Sequence, residues 1–160
     1  MKVELYSDGA ARGNPEGPGG FGCILRYIDK KGSLHEKEIS RGYKKTTNNR
    51  MELLGVIAGL EALNTSCEVS VYSDSKYVTD SFNKGWIDKW QGNGWKTSKK
   101  DPVLNEDLWR RLLKAMEGHR VTYNWVKGHD GNPCNERCDK LATGAADSGD
   151  LLDDIAGGVL

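Results

Sequence analysis

Apolar and polar residues alternate in short runs through the first third of the chain, then recur at three and four. Segments Lys2 to Ser7, Phe21 to Ile28 and Leu34 to Gly42 read as β-strands, separated by the turn-forming stretches GNPEGPGG and DKKGS. The short second connection predicts an antiparallel hairpin. In NNRMELLGVIAGLEALN the positions Leu53, Val56, Ile57, Leu60 and Leu63 line one helical face, with Asn48 as the expected N-cap. A strand from Val69 to Ser73 follows, then a helix opening at Ser75 with Tyr77, Val78 and Phe82 on one side. GWIDKWQGNGWKTSKKDP reads as a short helix, a glycine-rich turn and a basic loop. A helix beginning at Asn105 or Glu106 runs to Gly118, whose lack of a side chain suits a helix C-terminus. HRVTYNWV is a fifth strand, and a loop and a last helix follow it. This order predicts one α/β domain, a mixed five-stranded sheet flanked by helices.

Composition narrows the class without naming it. At 160 residues, with 37% hydrophobic and 29% charged positions, the chain is long enough to bury a core unaided. Lys plus Arg and Asp plus Glu number 23 each, so net charge does not point to a polyanion. The distribution is uneven: Lys84 to Lys114 is rich in bases, while the final DSGDLLDDIAGGVL carries four aspartates and no base. The tail beyond Asp147 is therefore expected to be loosely ordered. Nothing at the N-terminus reads as a signal peptide, and no apolar run approaches the roughly 20 residues that span a bilayer. Cys23, Cys67, Cys134 and Cys138 are expected as ordinary reduced thiols in a cytoplasmic protein.

Chemistry is suggested by four acids at the ends of elements. Asp8 and Asp74 each finish an apolar strand, Glu52 lies in the opening turns of the first long helix, and Asp139 is expected at the start of the last one. Each alone has a sufficient structural explanation: aspartate closes turns, and acids at helix N-termini offset the dipole. Converging on one rim of the sheet, they would repel unless divalent cations lay between them. Hard carboxylate oxygens suit Mg²⁺ or Mn²⁺. Spacing alone does not establish that convergence.

The stretches YSDGAARGNPEGPGGFG, TTNNRMELLGVIAGLEAL, VYSDSKYV, the tryptophan run GWIDKWQGNGWKT, and WVKGHDGNPCNERCDKLA occur in this order. Together they resemble the bacterial type 1 ribonuclease H family from about Val3 to Ala146. The resemblance implies a ribonuclease H-like catalytic domain over residues 1–146, with the acidic tail, residues 147–160, outside it. It implies hydrolysis of the RNA strand of RNA–DNA hybrids with two Mg²⁺ ions, Mn²⁺ substituting, and 5′-phosphate and 3′-hydroxyl products. Asp8, Glu52, Asp74 and Asp139 match the family's metal-binding acids. His129 matches its mobile loop histidine, a residue type able to exchange protons near neutral pH. Asn14, Asn48 and Asn49 stand where the family reads 2′-hydroxyls in the minor groove. Lys45, Thr47 and Asn105 stand at its DNA-strand phosphate pocket, and Trp86 and Trp90 on its basic protrusion, with Trp95 bracing the loop.

Three departures stand out. Lys76 occupies a position where a neutral amide is expected to face the minor groove. QGN replaces a cluster of bases between Trp90 and Gly94, which predicts weaker hybrid binding and a shallower salt dependence. The acidic tail belongs to none of the motifs. Two other readings use the same acids: a resolvase- or transposase-like nuclease of the same fold, and a hybrid-binding module without catalysis. The asparagines and the tryptophan-bearing loop oppose the first, and the complete acid set opposes the second. The expected partner is the hybrid substrate, with no membrane and no protein partner inferable, and the expected state is a monomer.

Overall fold

The computed structural model describes residues 1–13, 17–128 and 131–154. Its sheet contains β1 (Lys2–Ala11), β2 (Gly17–Ile28), β3 (Leu34–Thr46), β4 (Glu68–Ser73), β5 (Arg120–Trp125) and β6 (Leu151–Leu152). Their spatial order is β5-β4-β1-β2-β3-β6. β1, β2 and β3 form an antiparallel meander, while β4 joins β1, β5 joins β4 and β6 joins β3 in parallel. The helices are α1 (Asn48–Glu61), α2 (Lys76–Asn83), α3 (Trp86–Gly92), α4 (Glu106–Met116) and α5 (Pro133–Ala146). None of them is long and apolar enough to cross a membrane.

Strand alternation divides the core. Val3, Leu5, Cys23 and Leu25 belong to the larger cluster with α1, whereas Tyr6 and Ile24 pack with Cys134 and Cys138 of α5. Successive strand residues point to opposite faces, so each helix receives one set. Glycines permit the close approach. A Cβ at Gly59 would lie 2.5 Å from Leu5 Cδ1, and one at Gly22 would lie 2.4 Å from the Cys138 carbonyl oxygen. This corrects the turn reading of the N-terminal glycines. GPGG is the first part of β2, with Gly20 close against α5, so β2 begins four residues before the expected Phe21.

β1 and β3 likewise run past their expected ends, to Ala11 and Thr46. The sheet has a sixth strand that hydrophobic pattern did not predict. The tail, expected to be loose, is docked as far as Asp154: Leu151 and Leu152 pair with Gly42 and Tyr43 of β3. Thr46 Oγ1 donates to Asp154 Oδ2 at 2.6 Å, and Arg50 Nε meets the same oxygen at 2.7 Å. An element of two residues is too short for periodicity to reveal, and its anchor is a carboxylate rather than an apolar face.

Aromatics build the other end of the core. Fully buried Trp109 sits among Tyr77, Phe82 and Trp90, with ring centroids 5.3, 6.0 and 5.6 Å away. Trp90 is thereby braced, and Trp86 lies 6.5 Å from it, half-buried. Trp95 is buried beneath the guanidinium of Arg110. Lys89, Lys96, Lys99 and Lys100 around this platform are exposed. All four cysteines are free and buried, as expected of ordinary thiols.

Candidate active site

Two parallel neighbours, β1 and β4, deliver Asp8 and Asp74 to the same end of the sheet, since Ser7 pairs with Ser73 in register. α1 approaches that end over Gly9, where a Cβ would stand 2.6 Å from the backbone nitrogen of Glu52. The missing side chain brings Glu52 against the strand. Gly9 N–H donates to Glu52 Oε1 at 2.8 Å and to Asp8 Oδ1 at 2.9 Å, tying both carboxylates to one amide. Asp8, Glu52 and Asp74 each offer an oxygen within 4.8 Å of the others. Asp139 lines the same cleft of about 310 Å³, with Asn48 and Ser75.

Asp139 lies in the middle of α5, which begins at Pro133, not at its start as expected. The stretch Asn-Pro-Cys-Asn-Glu-Arg looks irregular in the sequence. In fact Asn132 caps the helix by accepting from Asn135 N, and Pro133 occupies its first turn. The N-cap of α1 also moves by one: Thr47, not Asn48, accepts from the Arg50 amide at 3.3 Å. Asn48 is freed from capping and lines the acid cleft with its side chain exposed.

The acids are held against their electrostatic preference. Asp8 is 6% exposed and Glu52 3%. Burial, chiefly, with the charges of Asp74 and Asp139, pushes the Asp8 pKa up to about 7. Burial, with the neighbouring Asp8 charge, raises Glu52 well above the usual carboxylate range. Glu52 Oε2 is buried with no hydrogen-bond partner. An orphaned buried oxygen among crowded carboxylates fits a divalent cation, which would satisfy the oxygen and cancel the repulsion. The donor set is all oxygen, as Mg²⁺ or Mn²⁺ prefers.

Around the cleft the remaining expected residues divide into groups. Lys45, Thr47, Asn49 and Asn105 line a second cavity of about 640 Å³, together with Lys44, Arg50 and Asp154. Lys76 is exposed at the first turn of α2, its Nζ 4.8 Å from the Trp125 ring centroid. The Trp125 indole N–H in turn donates to the Asp74 carbonyl at 3.0 Å. Trp86 and Trp90 stand on α3, away from the acids. Asn14 and His129 lie outside the described residues. Gly128, next to His129, is close enough that a Cβ there would sit 2.8 Å from Asp74 Oδ2.

The Arg50 guanidinium is enclosed by carboxylates. It meets both oxygens of Asp107, at 3.0 and 2.8 Å, and both of Asp154, at 2.7 and 3.0 Å. Burial opposes its charge, and the hydrogen bonds to Asp107 and Asp154 override that and raise its pKa. Gly9, Trp125 and Asp154 are site-building residues that the motifs did not single out.

Comparison with known proteins matches this arrangement. The RNase H family profile matches residues 1–147. The ribonuclease H of Lachnoclostridium phytofermentans is 63% identical over 154 residues, covering 96% of this chain and 98% of its own. Among solved structures, LC9-RNase H1, a type 1 RNase H with the type 2 active-site motif, superposes with a TM-score of 0.82 at 33% identity, over 96% of this chain and 77% of that one. LC11-RNase H1, solved in complex with an RNA/DNA hybrid, gives a TM-score of 0.60 at 25% identity over 91% of this chain and 96% of that one. A family profile over nearly the whole chain and a relative 63% identical across 98% of its own length show that the chain belongs to the ribonuclease H family of endoribonucleases.

Proposed function

We propose that the protein cleaves the RNA strand of RNA–DNA hybrids, with water attacking phosphorus in line and the P–O3′ bond breaking. The products are a 5′-phosphate and a 3′-hydroxyl, the departing O3′ taking up a proton. The observation that carries this reading is the set of converging carboxylates with its orphaned Glu52 Oε2. Asp8, Glu52, Asp74 and Asp139 would hold two magnesium ions, which when bound would supply Lewis-acid stabilisation of the charge that develops on phosphoryl transfer. Manganese would serve in their place.

The chain's own residues position the substrate. Asn14, Asn48 and Asn49 carry amides that both donate and accept, which suits a ribose 2′-hydroxyl in the minor groove. Lys45, Thr47 and Asn105 offer a cation, a hydroxyl and an amide to one DNA-strand phosphate. Lys45 acts there as a point charge. The exposed lysines around α3, with Trp86 and Trp90, meet the DNA strand further along. Lys76, steadied over Trp125, faces the hybrid from α2. His129 exchanges protons with the leaving group or eases product release. Residues 1–146 form the catalytic domain, acting as a cytoplasmic monomer.

The test is end-labelled cleavage of matched RNA–DNA, RNA–RNA and DNA–DNA duplexes in Mg²⁺, with the product ends identified. Cutting confined to the RNA of the hybrid, leaving 5′-phosphates, is the expected result. Tight hybrid binding without cleavage would favour the binding-module reading.

A further inference from the structure

The docked tail meets the cavity assigned above to the DNA-strand phosphate, and its anchor touches both walls. On one wall, Asp154 accepts from Thr46, the residue before Thr47, where β3 ends and α1 begins. On the other, it holds Arg50, whose second terminal nitrogen donates to Asn105 Oδ1 at 3.3 Å. Asn105 Nδ2 donates to Tyr77 Oη at 3.0 Å. The amide is thus fixed in orientation, carbonyl toward Arg50, with one N–H to the tyrosine and the second left for a ligand. Asn105 also adopts a left-handed backbone, φ 61°, a conformation asparagine tolerates better than most other non-glycine residues.

We propose that Asp154 is a positioning residue for DNA-strand recognition, acting through Arg50 on Asn105 and through Thr46 on Thr47. This rests on the hybrid-cleaving function proposed above. Arg50 has two roles to reconcile, since a free guanidinium beside Lys44 and Lys45 would itself compete for phosphate. Asp107 and Asp154 enclose it and convert it from a ligand into a strut. The Asp154 side chain is only 5% exposed, so its contact survives in water and is weakly screened. Asp153, by contrast, is exposed and meets Lys44 at 3.7 Å, a contact that salt weakens. The acidic tail therefore contributes one structural carboxylate to a site that binds an anion.

The experiment compares wild type, Asp154→Ala, Asp154→Asn and Glu61→Gln, full chains, below the melting temperature of each. Glu61→Gln is the fold control, because it breaks another clasp between α1 and α4, Glu61 to Arg111 at 2.6 and 2.9 Å, which does not line the cavity. Hybrids in which one DNA phosphate at a time is a neutral methylphosphonate serve as substrates. Wild type should show one DNA-strand position where neutralisation raises KM about tenfold. In both Asp154 variants KM on the unmodified hybrid should rise about fivefold to tenfold with kcat within about twofold, and the penalty at that position should shrink to about twofold. Glu61→Gln should keep the wild-type pattern. A penalty of equal size in wild type and the Asp154 variants would overturn the proposal and leave the tail as a clasp on the fold alone. Wild type that cuts no hybrid would instead overturn the function on which the proposal rests.

Discussion

Glu52 and Asp8 are where the fold is under most electrostatic tension. Both are buried, share the Gly9 amide, and face Asp74 and Asp139. Their raised pKa values mean that the metal-free folded state binds protons more tightly than the unfolded chain. For Asp8 the resulting destabilisation is absent below the ordinary carboxylate pKa of 3.8 and complete above about 7. Asp8→Asn removes it while keeping the Oδ1 that accepts from Gly9. In EDTA, urea unfolding should show Asp8→Asn more stable than wild type by ~1–3 kcal/mol at pH 7.5, the gap closing toward pH 4. Adding Mg²⁺ should narrow the gap by stabilising wild type alone. Gly9→Ala tests the geometry of the same pair. Its methyl would meet backbone of α1 at 2.6 and 2.8 Å, so the helix must shift and Glu52 with it. A fall in kcat of at least about tenfold is expected, measured on a hybrid at saturating Mg²⁺.

Among elements, the α1–α4–β6 junction depends on Arg50. Its side chain is 12% exposed, and those of Asp107 and Asp154 are 20% and 5%. Arg50→Ala would take the guanidinium away from two largely buried carboxylates, and its cost by urea denaturation should be about 3–5 kcal/mol. Glu61→Gln, at a more exposed pair, should cost ~1 kcal/mol or less. The sequence was most legible where an element repeats a pattern. β1, β4 and α1 follow from alternation and from the apolar face, and with them Asp8, Asp74 and Glu52. It was least legible where one residue type does two jobs. Thr46, Thr47, Asn48 and Asn49 are four adjacent capping candidates, and only packing selects Thr47. The glycines before Phe21 look like a turn, yet they serve a close helix contact inside β2. Asp139 looked like a helix start because the true start, Asn132-Pro133, reads as loop. β6 had no local signal, since its specification lies about a hundred residues away, in Arg50 and Thr46.

At the scale of the molecule, a neutral chain binds a polyanion only by segregating its charge. Exposed lysines gather around α3, while the acids face the cleft and the junction beneath the tail. Replacing Lys96, Lys99 and Lys100 together with Gln should leave kcat unchanged, raise KM, and flatten the plot of log KM against log salt by ~1–3. Kinship identified the enzyme family, and geometry showed which acids meet, but neither measures turnover. The most direct measurement is hybrid cleavage as a function of Mg²⁺ concentration for wild type, Asp8→Asn and Glu52→Gln. Saturable, Mg²⁺-dependent cutting by wild type, lost by more than about a hundredfold in both variants while they stay folded, is the predicted result. Cutting that persists in EDTA, or that survives either substitution, would contradict a metal site built on these carboxylates.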